Sequence, residues 1–413
     1  MTRARAMPFI ALEGSTLLAG LANGVAMVAL PWLVLDLTGR ADAAGLVALV
    51  SGVPTLFASL FSGTVVDMLG RRRTSVASDL LSAVAVAAIP VVDLTVGLTF
   101  GWVLALAVLG AVFDPAGVTA RESMLTGVSQ ATGMRLERVN GIHEAVWGLA
   151  FLVGPALGAL LIATIGVESA FWVMAIAFIA SALLLGLVHV PGAGRPHVDH
   201  RPAFWSGTFE GIKLVLADAP LRAVVLLSTG IVAVAYPVLG IVLPVIYQGN
   251  DDPVGLGAVV MAFSLGGVVG ALLYGSFGHH SHPRRAFAIA MWGSALTLVC
   301  FAAWPETGVM IGAALVGGML LGPMNPVINL ALQRRTPESA RGRAMGVVVA
   351  LAYGAYPIGY VLAGVLVESF GVVPAMAIFA VTNIVIALIA LAAPSLKRLD
   401  EEPMLEASEP TRV

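Results

Sequence analysis

The sequence predicts an all-α integral membrane protein, with twelve transmembrane helices in two pseudo-symmetric six-helix bundles. Three observations support this fold class: the composition, the apolar runs and the placement of the basic residues. Hydrophobic residues make up 59% of the 413 residues, and charged residues make up 11%. A soluble protein of this size keeps about a quarter of its residues charged. The chain is therefore expected to lie in a lipid bilayer.

Apolar stretches of about 20 residues, long enough to cross a bilayer as a helix, occur twelve times along the chain. The first, from Phe9 to Leu35, is too long for the apolar part of a signal peptide and is predicted to be a span. The predicted spans lie near residues 9–36, 43–66, 75–96, 99–120, 140–163, 168–190, 222–247, 254–277, 285–303, 306–332, 344–368 and 372–394.

The basic residues indicate how these spans are oriented. With both termini on the cytoplasmic side, Arg40 is the single Lys or Arg of the 22 that falls in an outer segment. Cytoplasmic loops of membrane proteins carry an excess of Lys and Arg, and a missed or extra span would scramble that pattern. We expect a multi-pass membrane protein with both termini on the cytoplasmic side.

The longest polar interval divides the chain in the middle. We expect an N-terminal bundle at 1–190, a cytoplasmic linker at 191–220, a C-terminal bundle at 221–395 and a cytoplasmic tail at 396–413. Within the linker, apolar residues from Phe204 to Leu216 recur at helical spacing, which indicates an interfacial helix or, alternatively, an ordinary loop. The halves look like repeats, since Pro-containing segments of the fourth and tenth spans each precede a basic loop.

Motifs of common enzymes are missing from the sequence. A P-loop needs Gly-Lys, but the two lysines, Lys213 and Lys397, follow Ile212 and Leu396. His143-Glu144 lacks the second histidine of a zinc protease, because Trp147 occupies its place. We predict a protein that is not an enzyme, with no metal, no cofactor and no nucleic-acid partner. The cluster of His279, His280 and His282 could bind a metal, sense pH or form a solvated loop.

Ionisable residues inside predicted spans indicate function, because each costs about 2.5–3.5 kcal/mol at a helix centre. Asp114 in the fourth span and Glu13 in the first are the candidates for proton coupling. Asp114 could instead be a structural acid bonded to Arg121 or to a neighbouring helix, and Glu13 could bind a cationic substrate or reach the interface. Asp79 is interpreted as a structural partner of the cytoplasmic arginines.

Sparse polar residues in the apolar spans could line a substrate cavity, or each could form a hydrogen bond between packed helices. These candidates are Asn23, Thr16, Tyr236, Asn325, Asn329, Tyr353 and Tyr356.

The loop between the second and third spans reads Gly63-Thr-Val-Val-Asp67-Met-Leu-Gly70-Arg71-Arg72-Arg73. It resembles the G-x-x-x-D-x-x-G-R motif of the major facilitator superfamily. That resemblance implies a conformational latch made of Gly63, Asp67, Gly70, Arg71 and Arg72. A generic loop that follows the positive-inside rule is the alternative.

The fifth span carries Gly148, Gly154, Pro155 and Gly158. This pattern resembles the G-x-x-x-G-P-x-x-G-G motif of drug/proton antiporters in that superfamily, with Ala150 and Ala159 in place of two glycines. Small residues let helices pack closely, so the motif favours an exporter whose helices move against one another.

The chain as a whole is similar to Tap-type drug exporters of actinobacteria. The segments that carry this likeness are Pro31 to Leu35, Val66 to Arg73, Phe113 to Arg121, Arg138 to Glu144, Phe151 to Gly158 and Arg341 to Arg343. The resemblance implies a monomeric transporter that exports amphipathic small molecules, such as tetracycline and aminoglycosides, against proton entry. Asp114 would then face the central cavity. Those exporters have an acid where this sequence has Asn23, which leaves the proton stoichiometry open.

The sequence is also compatible with other functions. The chain could export an endogenous metabolite, lipid or siderophore, act as a non-transporting membrane sensor, or transport without proton coupling.

Overall fold

A computed structural model of the protein describes residues 3–187, 204–277, 282–304, 306–336 and 341–401. Among these, the backbone alone is described at 3–5, 60, 63, 64, 67, 137, 187, 204–210, 277, 341–343 and 353. The side chains of Asp67 and Tyr353, and the backbone of His279 and His280, therefore lie outside the described residues.

Fifteen α-helices make up most of the described chain, and no strand occurs in it. A π-helical turn lies at Val238–Val242, and a 3₁₀ helix lies at Pro394–Leu399. The helices are α1 (Arg3–Thr38), α2 (Ala41–Leu69), α3 (Arg71–Val96), α4 (Phe100–Thr132), α5 (Leu136–Ile165), α6 (Val167–Leu187), α7 (Phe204–Ala217), α8 (Ala219–Pro237), α9 (Leu243–Gly249), α10 (Pro253–Phe277), α11 (Pro283–Ala303), α12 (Thr307–Leu321), α13 (Met324–Arg335), α14 (Arg341–Phe370) and α15 (Val372–Ala392).

Twelve stretches of these helices are long and apolar enough to cross a membrane. The seventh combines α8, the π-helical turn and α9, and the tenth combines α12 and α13. The predicted fold class and the predicted number of spans are thus confirmed. Helix α7 occupies the segment where an interfacial helix is predicted; its position at a membrane surface stays a prediction.

Helix α4 is longer than the predicted fourth span, which ends at residue 120. It continues to Thr132, and Arg121 within it is 1% exposed. A charge normally marks the end of a span, but the charge of Arg121 is compensated inside the protein, as described below.

The described contacts divide the chain into two compact units. The first contains Met1–His200, Tyr236–Ser264 and Tyr356–Ala375, and the second contains Arg201–Ala235, Leu265–Ala355 and Met376–Val413. These boundaries differ from the predicted bundle boundaries, so the division into two six-helix bundles stays a prediction.

In the first unit, α1 packs against α4, α5 and α6, while α3 packs against α4 and α6. The turn between α2 and α3 needs Gly70, whose φ of +87° is unfavourable for residues with a Cβ. The Gly70 N–H donates to the Val66 carbonyl, which closes the last turn of α2.

In the second unit, α11 packs against α12 and α13. Arg335 at the end of α13 donates to Asp218 Oδ2 at 3.0 Å and also to the carbonyl of Arg398 in the 3₁₀ helix. The charged groups of this network lie at helix ends.

Candidate functional site

Asp114 of α4 and Asn23 of α1 meet inside the membrane-spanning part of the first unit. Asn23 Nδ2 donates to Asp114 Oδ1 at 2.9 Å, and both side chains are partly buried. Two residues that the sequence suggested separately, one as a proton carrier and one as cavity lining, therefore form one hydrogen-bonded pair. We refer to them as the Asp114–Asn23 pair.

The sequence around Asp114 explains how α4 presents it. Pro115 has no N–H, so the Ala111 carbonyl four residues earlier loses its helical partner. The Thr55 hydroxyl of α2 lies 3.4 Å from that carbonyl oxygen. Gly117 leaves room for Ser78 of α3, because a Cβ there would lie 2.7 Å from Ser78 Oγ. The segment therefore fits tightly between its neighbours while Asp114 is directed towards α1.

Helix α1 is held beside α5 by small residues. A Cβ on Gly24 would lie 2.7 Å from the Gly154 Cα, and a Cβ on Gly20 would lie 2.7 Å from the Ala150 Cβ. Gly158 is also close, because its Cβ would lie 3.0 Å from the Val25 carbonyl oxygen. Such contacts between glycine backbones allow close approach of membrane helices. Asn23, adjacent to Gly24, is positioned by this crossing.

The other residues of the fifth-span motif behave differently. Among the described residues, no atom outside the adjoining backbone of α5 lies within 4 Å of the place where a Cβ of Gly148 would be. Pro155 lies inside α5, next to Gly154 at the crossing. Two of the three motif glycines therefore have a packing role in this structure, and Gly148 does not.

Arg121 forms a buried ion pair with Asp79 of α3 rather than with Asp114. Arg121 Nη2 donates to Asp79 Oδ1, and the two residues are 1% and 2% exposed. The Ser181 hydroxyl of α6 donates to Asp79 Oδ2 at 2.6 Å, and Arg121 Nε donates to Ser15 Oγ of α1 at 3.3 Å. This network joins four helices, and the hydrogen bonds compensate the cost of burying two charges.

Glu13 of α1 is buried beside His143 of α5. His143 Nδ1 lies 3.3 Å from Glu13 Oε1 and 3.2 Å from Oε2, and His143 and Glu13 are 2% and 7% exposed. The other ring nitrogen, Nε2, is buried and has no hydrogen-bond partner among the described residues. Leaving such a group unpaired costs about 1–3 kcal/mol. Glu13 therefore does not reach a water interface in this structure.

The remaining cavity candidates lie in several places. Thr16 is fully buried and donates to the Leu12 carbonyl at 2.9 Å, so its hydroxyl serves its own helix. In the first unit, Tyr236 and Tyr356 form an edge-to-face contact with ring centroids 5.0 Å apart. In the second unit, Asn325 and Asn329 are exposed and four residues apart on α13, which places them on one face.

The predicted latch is described in part. Arg72 donates to the carbonyls of Leu185 and Gly186, so it joins the start of α3 to the end of α6. Arg71 is partly buried, and Gly70 forms the turn. A role for these residues as a latch stays a prediction.

The predicted histidine cluster is described at His282 alone. His282 precedes α11, and its Nδ1 lies 3.8 Å from Asp400 Oδ2. Within the described ranges, no group of three or more His, Cys, Asp or Glu side chains could hold a metal ion.

Sequence reasoning missed His143, Ser15, Ser181 and the two glycines of α1. The Gly20-x-x-x-Gly24 spacing in the first span was a usable signal, since it is the common pattern of closely packed membrane helices. His143 was also detectable as an ionisable residue at the start of an apolar span. Ser15 and Ser181 carry no such signal, because serines are ordinary in membrane helices.

Comparisons with known proteins agree with this architecture. A family model described as Major Facilitator Superfamily matches residues 14–251 and 225–412. "Multidrug efflux pump Tap" of Mycobacterium tuberculosis (strain ATCC 25618 / H37Rv) is 38% identical over 400 residues, covering 96% of each chain. "Multidrug efflux pump Tap" of Mycolicibacterium fortuitum is 36% identical over 406 residues, covering 97% of this chain and 99% of the relative. The crystal structure of nucleoside transporter NupG superposes with a TM-score of 0.75 at 14% identity, covering 94% of this chain and 98% of that chain.

The likeness to NupG concerns the fold alone, whereas the family match and the Tap relatives extend over nearly the whole chain. Together with the twelve apolar helices, they define a multi-pass bacterial membrane transporter rather than an enzyme. The chain belongs to the Major Facilitator Superfamily. Efflux transporters of this family need no cofactor.

Proposed function

We propose that the chain is a proton-coupled secondary antiporter that exports amphipathic drugs by alternating access. Transport follows from the family, and export of several drugs is proposed because the similar proteins are named multidrug efflux pumps. Tetracycline and aminoglycoside-like compounds are the proposed cargo, from the resemblance to Tap-type exporters. The observation that carries the proton coupling is the hydrogen bond between Asn23 and Asp114 inside the spans.

The chemistry of the Asp114–Asn23 pair suits proton exchange. An ionised carboxyl accepts hydrogen bonds, whereas a protonated one also donates. The amide of Asn23 offers an NH₂ donor to the first form and, after a half turn, a carbonyl acceptor to the second. Asp114 therefore keeps a hydrogen-bond partner in both protonation states. Two acids at these positions would instead oppose each other's ionisation.

Helix packing in the first unit is compatible with moving helices. At the contact between α2 and α14, a Cβ on Gly45 would lie 2.6 Å from the Tyr360 carbonyl oxygen, and a Cβ on Gly364 would lie 2.6 Å from the Ala41 carbonyl oxygen. Helices that touch through glycines can separate without disengaging interdigitated side chains. Such contacts therefore favour helices that approach and separate reversibly during transport. The membrane potential can drive such a cycle, because each elementary charge that crosses the membrane is worth about 2.3 kcal/mol per 100 mV.

We also propose roles for the loop, α5 and cavity residues that were identified in the sequence. Asp67 and Arg71 would stabilise one face of the cycle, and the Gly/Pro face of α5 would permit rocking. Tyr236, Tyr356, Asn325 and Asn329 would contact cargo. We propose a monomer in the cytoplasmic membrane, as the resemblance implies. Both termini are proposed to lie inside, on the distribution of the basic residues.

The test is uptake of radiolabelled tetracycline into inverted membrane vesicles energised by an imposed pH gradient. Wild type should accumulate tetracycline, and a protonophore should abolish the accumulation. Asp114→Asn should lower gradient-driven uptake about tenfold or more, while tetracycline exchange without a gradient persists. The control is Asp36→Asn, the same chemical change at an exposed position near the end of α1.

Three outcomes would change the proposal. Full gradient-driven uptake by Asp114→Asn would remove Asp114 from the coupling mechanism. Uptake by wild type that resists the protonophore would indicate transport without proton coupling. If wild type takes up neither tetracycline nor a panel of cationic drugs, the cargo is endogenous and the drug-export proposal fails.

A further inference from the structure

The Glu13–His143 pair is the second place in the first unit where buried titratable groups meet. Its contact is close, with Nδ1 3.2 and 3.3 Å from the two carboxylate oxygens. Both groups are more than nine-tenths buried. Leu12, next to Glu13 in the sequence, and Val139, four residues before His143, belong to one hydrophobic cluster with Met124, Leu125, Val128 and Leu185.

The unpartnered ring nitrogen provides a place for one additional proton. When Nδ1–H donates to the Glu13 carboxylate, the neutral imidazole carries a free lone pair on Nε2. A proton that binds Nε2 makes an imidazolium, whose positive charge balances the negative carboxylate. When the proton leaves to water, the pair returns to a single negative charge. The reaction is a simple uptake and release, and it needs no other reactant.

Of the charged groups described on the surrounding helices, Glu122 is the one that interacts with His143 besides Glu13. Arg121, the cation of α4 that contacts α1, is already paired with Asp79 of α3. Glu122 of α4 interacts electrostatically with His143 and with Glu144, and both glutamates are exposed. Arg138 of α5 is exposed as well, and α6 contributes the neutral Ser181 on the side that faces α1.

The Glu13–His143 pair and the Asp114–Asn23 pair lie at different positions along α1. Glu13 and Asn23 are ten residues apart on α1, a rise of about 15 Å along a helix axis. The Arg121–Asp79 network lies between them along the helix, since it contacts Ser15. Helix α1 therefore contributes one residue to each of two buried polar pairs, at different positions along its axis.

We propose that Glu13 and His143 form a second proton-binding site, which exchanges one proton with water when the transport cycle exposes it. This inference rests on the proposed function, since a buried site needs a conformational cycle to reach water. It makes His143 a participant in coupling and gives Glu13 a defined partner. Export would then move protons through two sites along α1 rather than through Asp114 alone.

The first test separates coupling from folding. Glu13→Gln removes the carboxylate, and His143→Asn keeps an amide donor near Nδ1 but removes the titrating ring. Each should lower pH-gradient-driven tetracycline uptake about tenfold and leave exchange without a gradient within about twofold. The double variant should be no worse than the worse single variant, because the two groups act as one unit. Glu144→Gln, an exposed neighbour, is the matched control and should behave as wild type.

The results that would overturn the second proton-binding site differ from those that would overturn the proposed function. Loss of uptake in Asp114→Asn with normal gradient-driven uptake in His143→Asn would overturn the second site and leave proton-coupled export intact. An equal loss of gradient-driven uptake, exchange and folded yield would show a purely structural contact, which also overturns it.

If wild type transports no tetracycline, the proposed function fails for this cargo and the site is tested directly. Purified protein with nitrogen-15 histidine should give a ring signal that disappears in His143→Asn. In wild type this signal should respond to pH, and Glu13→Gln should alter that response. A signal that does not titrate between about pH 5 and 9, or that ignores Glu13→Gln, overturns the inference.

Discussion

The two halves of the chain bury different kinds of polar group. Inside the first six spans, the buried polar side chains include four ionisable ones, Glu13, Asp79, Arg121 and His143. From Ala219 to Ala392, the buried polar side chains of the described residues are neutral. They are Ser228, Ser294, Thr297, Thr336 and Asn383, together with Tyr247, whose side chain ends in a hydroxyl. Charges in the second half, such as Arg335 with Asp218, lie at helix ends.

This difference indicates where the ion chemistry is located. Both halves pack their helices through glycine contacts, so close packing does not distinguish them. Burying a charge in a membrane helix is expensive, and such residues are usually functional. We therefore expect the first half to carry the proton steps, and the second half to respond to substitution as an ordinary packed helix bundle.

The largest expected effect comes from separating the buried ion pair. Arg121→Ala leaves Asp79 as an uncompensated buried charge, which should destabilise the protein by about 3–5 kcal/mol. Thermal unfolding of purified protein in detergent, together with the yield of folded monodisperse protein, measures this loss. Arg222→Ala, at an exposed arginine of the second half, should cost less than about 0.5 kcal/mol.

A combined variant sharpens the same comparison. Asp79→Asn with Arg121→Gln removes both charges, and it should be more stable than Arg121→Ala because no lone charge remains. If Arg121→Ala unfolds at the wild-type temperature, the buried charges of the first half have no special energetic status, and the contrast between the halves is lost.

A smaller effect is expected from glycine packing in the second half. A Cβ on Gly270 of α10 would lie 1.9 Å from the Met319 carbonyl oxygen of α12, so Gly270→Ala must move one helix away from the other. Overpacking of this kind costs about 1–3 kcal/mol. Gly275→Ala is the matched control on the same helix, since no described atom outside the adjoining backbone of α10 lies within 4 Å of the place where its Cβ would be. Equal melting temperatures for the two variants would contradict the packing argument.

The spans were predictable because length and hydropathy decide whether a segment crosses a bilayer. The end of α4 was not predictable, because a charged residue such as Arg121 normally indicates the end of a span. The structure continues the helix, since Asp79 compensates that charge from 42 residues away. Whether a charge ends a span therefore depends on a partner that local sequence does not reveal.

The residues of the candidate site were predictable from the sequence, but the pairs that they form were not. Asp114, Asn23 and Glu13 stand out because polar groups are costly in apolar spans. Their partners are distant in sequence, with a separation of 91 residues between Asn23 and Asp114 and of 130 between Glu13 and His143. The pairing follows from how α1 packs against α4 and α5, which one sequence does not specify.

The smallest expected effect tests the neutral polar groups of the second half. Asn383 Nδ2 donates to Ser294 Oγ at 3.0 Å, and Asn383→Ala removes this hydrogen bond between buried side chains. Hydrogen bonds between membrane helices contribute about 0.6 kcal/mol on average, with a maximum of about 1.7 kcal/mol. Thermal unfolding should therefore register a small loss, with the exposed Thr382→Ala as the control. A cost for Asn383→Ala as large as that of Arg121→Ala would mean that buried neutral and buried charged groups are equally critical. The location of the proton steps would then have to be argued from transport alone, because stability would no longer distinguish the two halves.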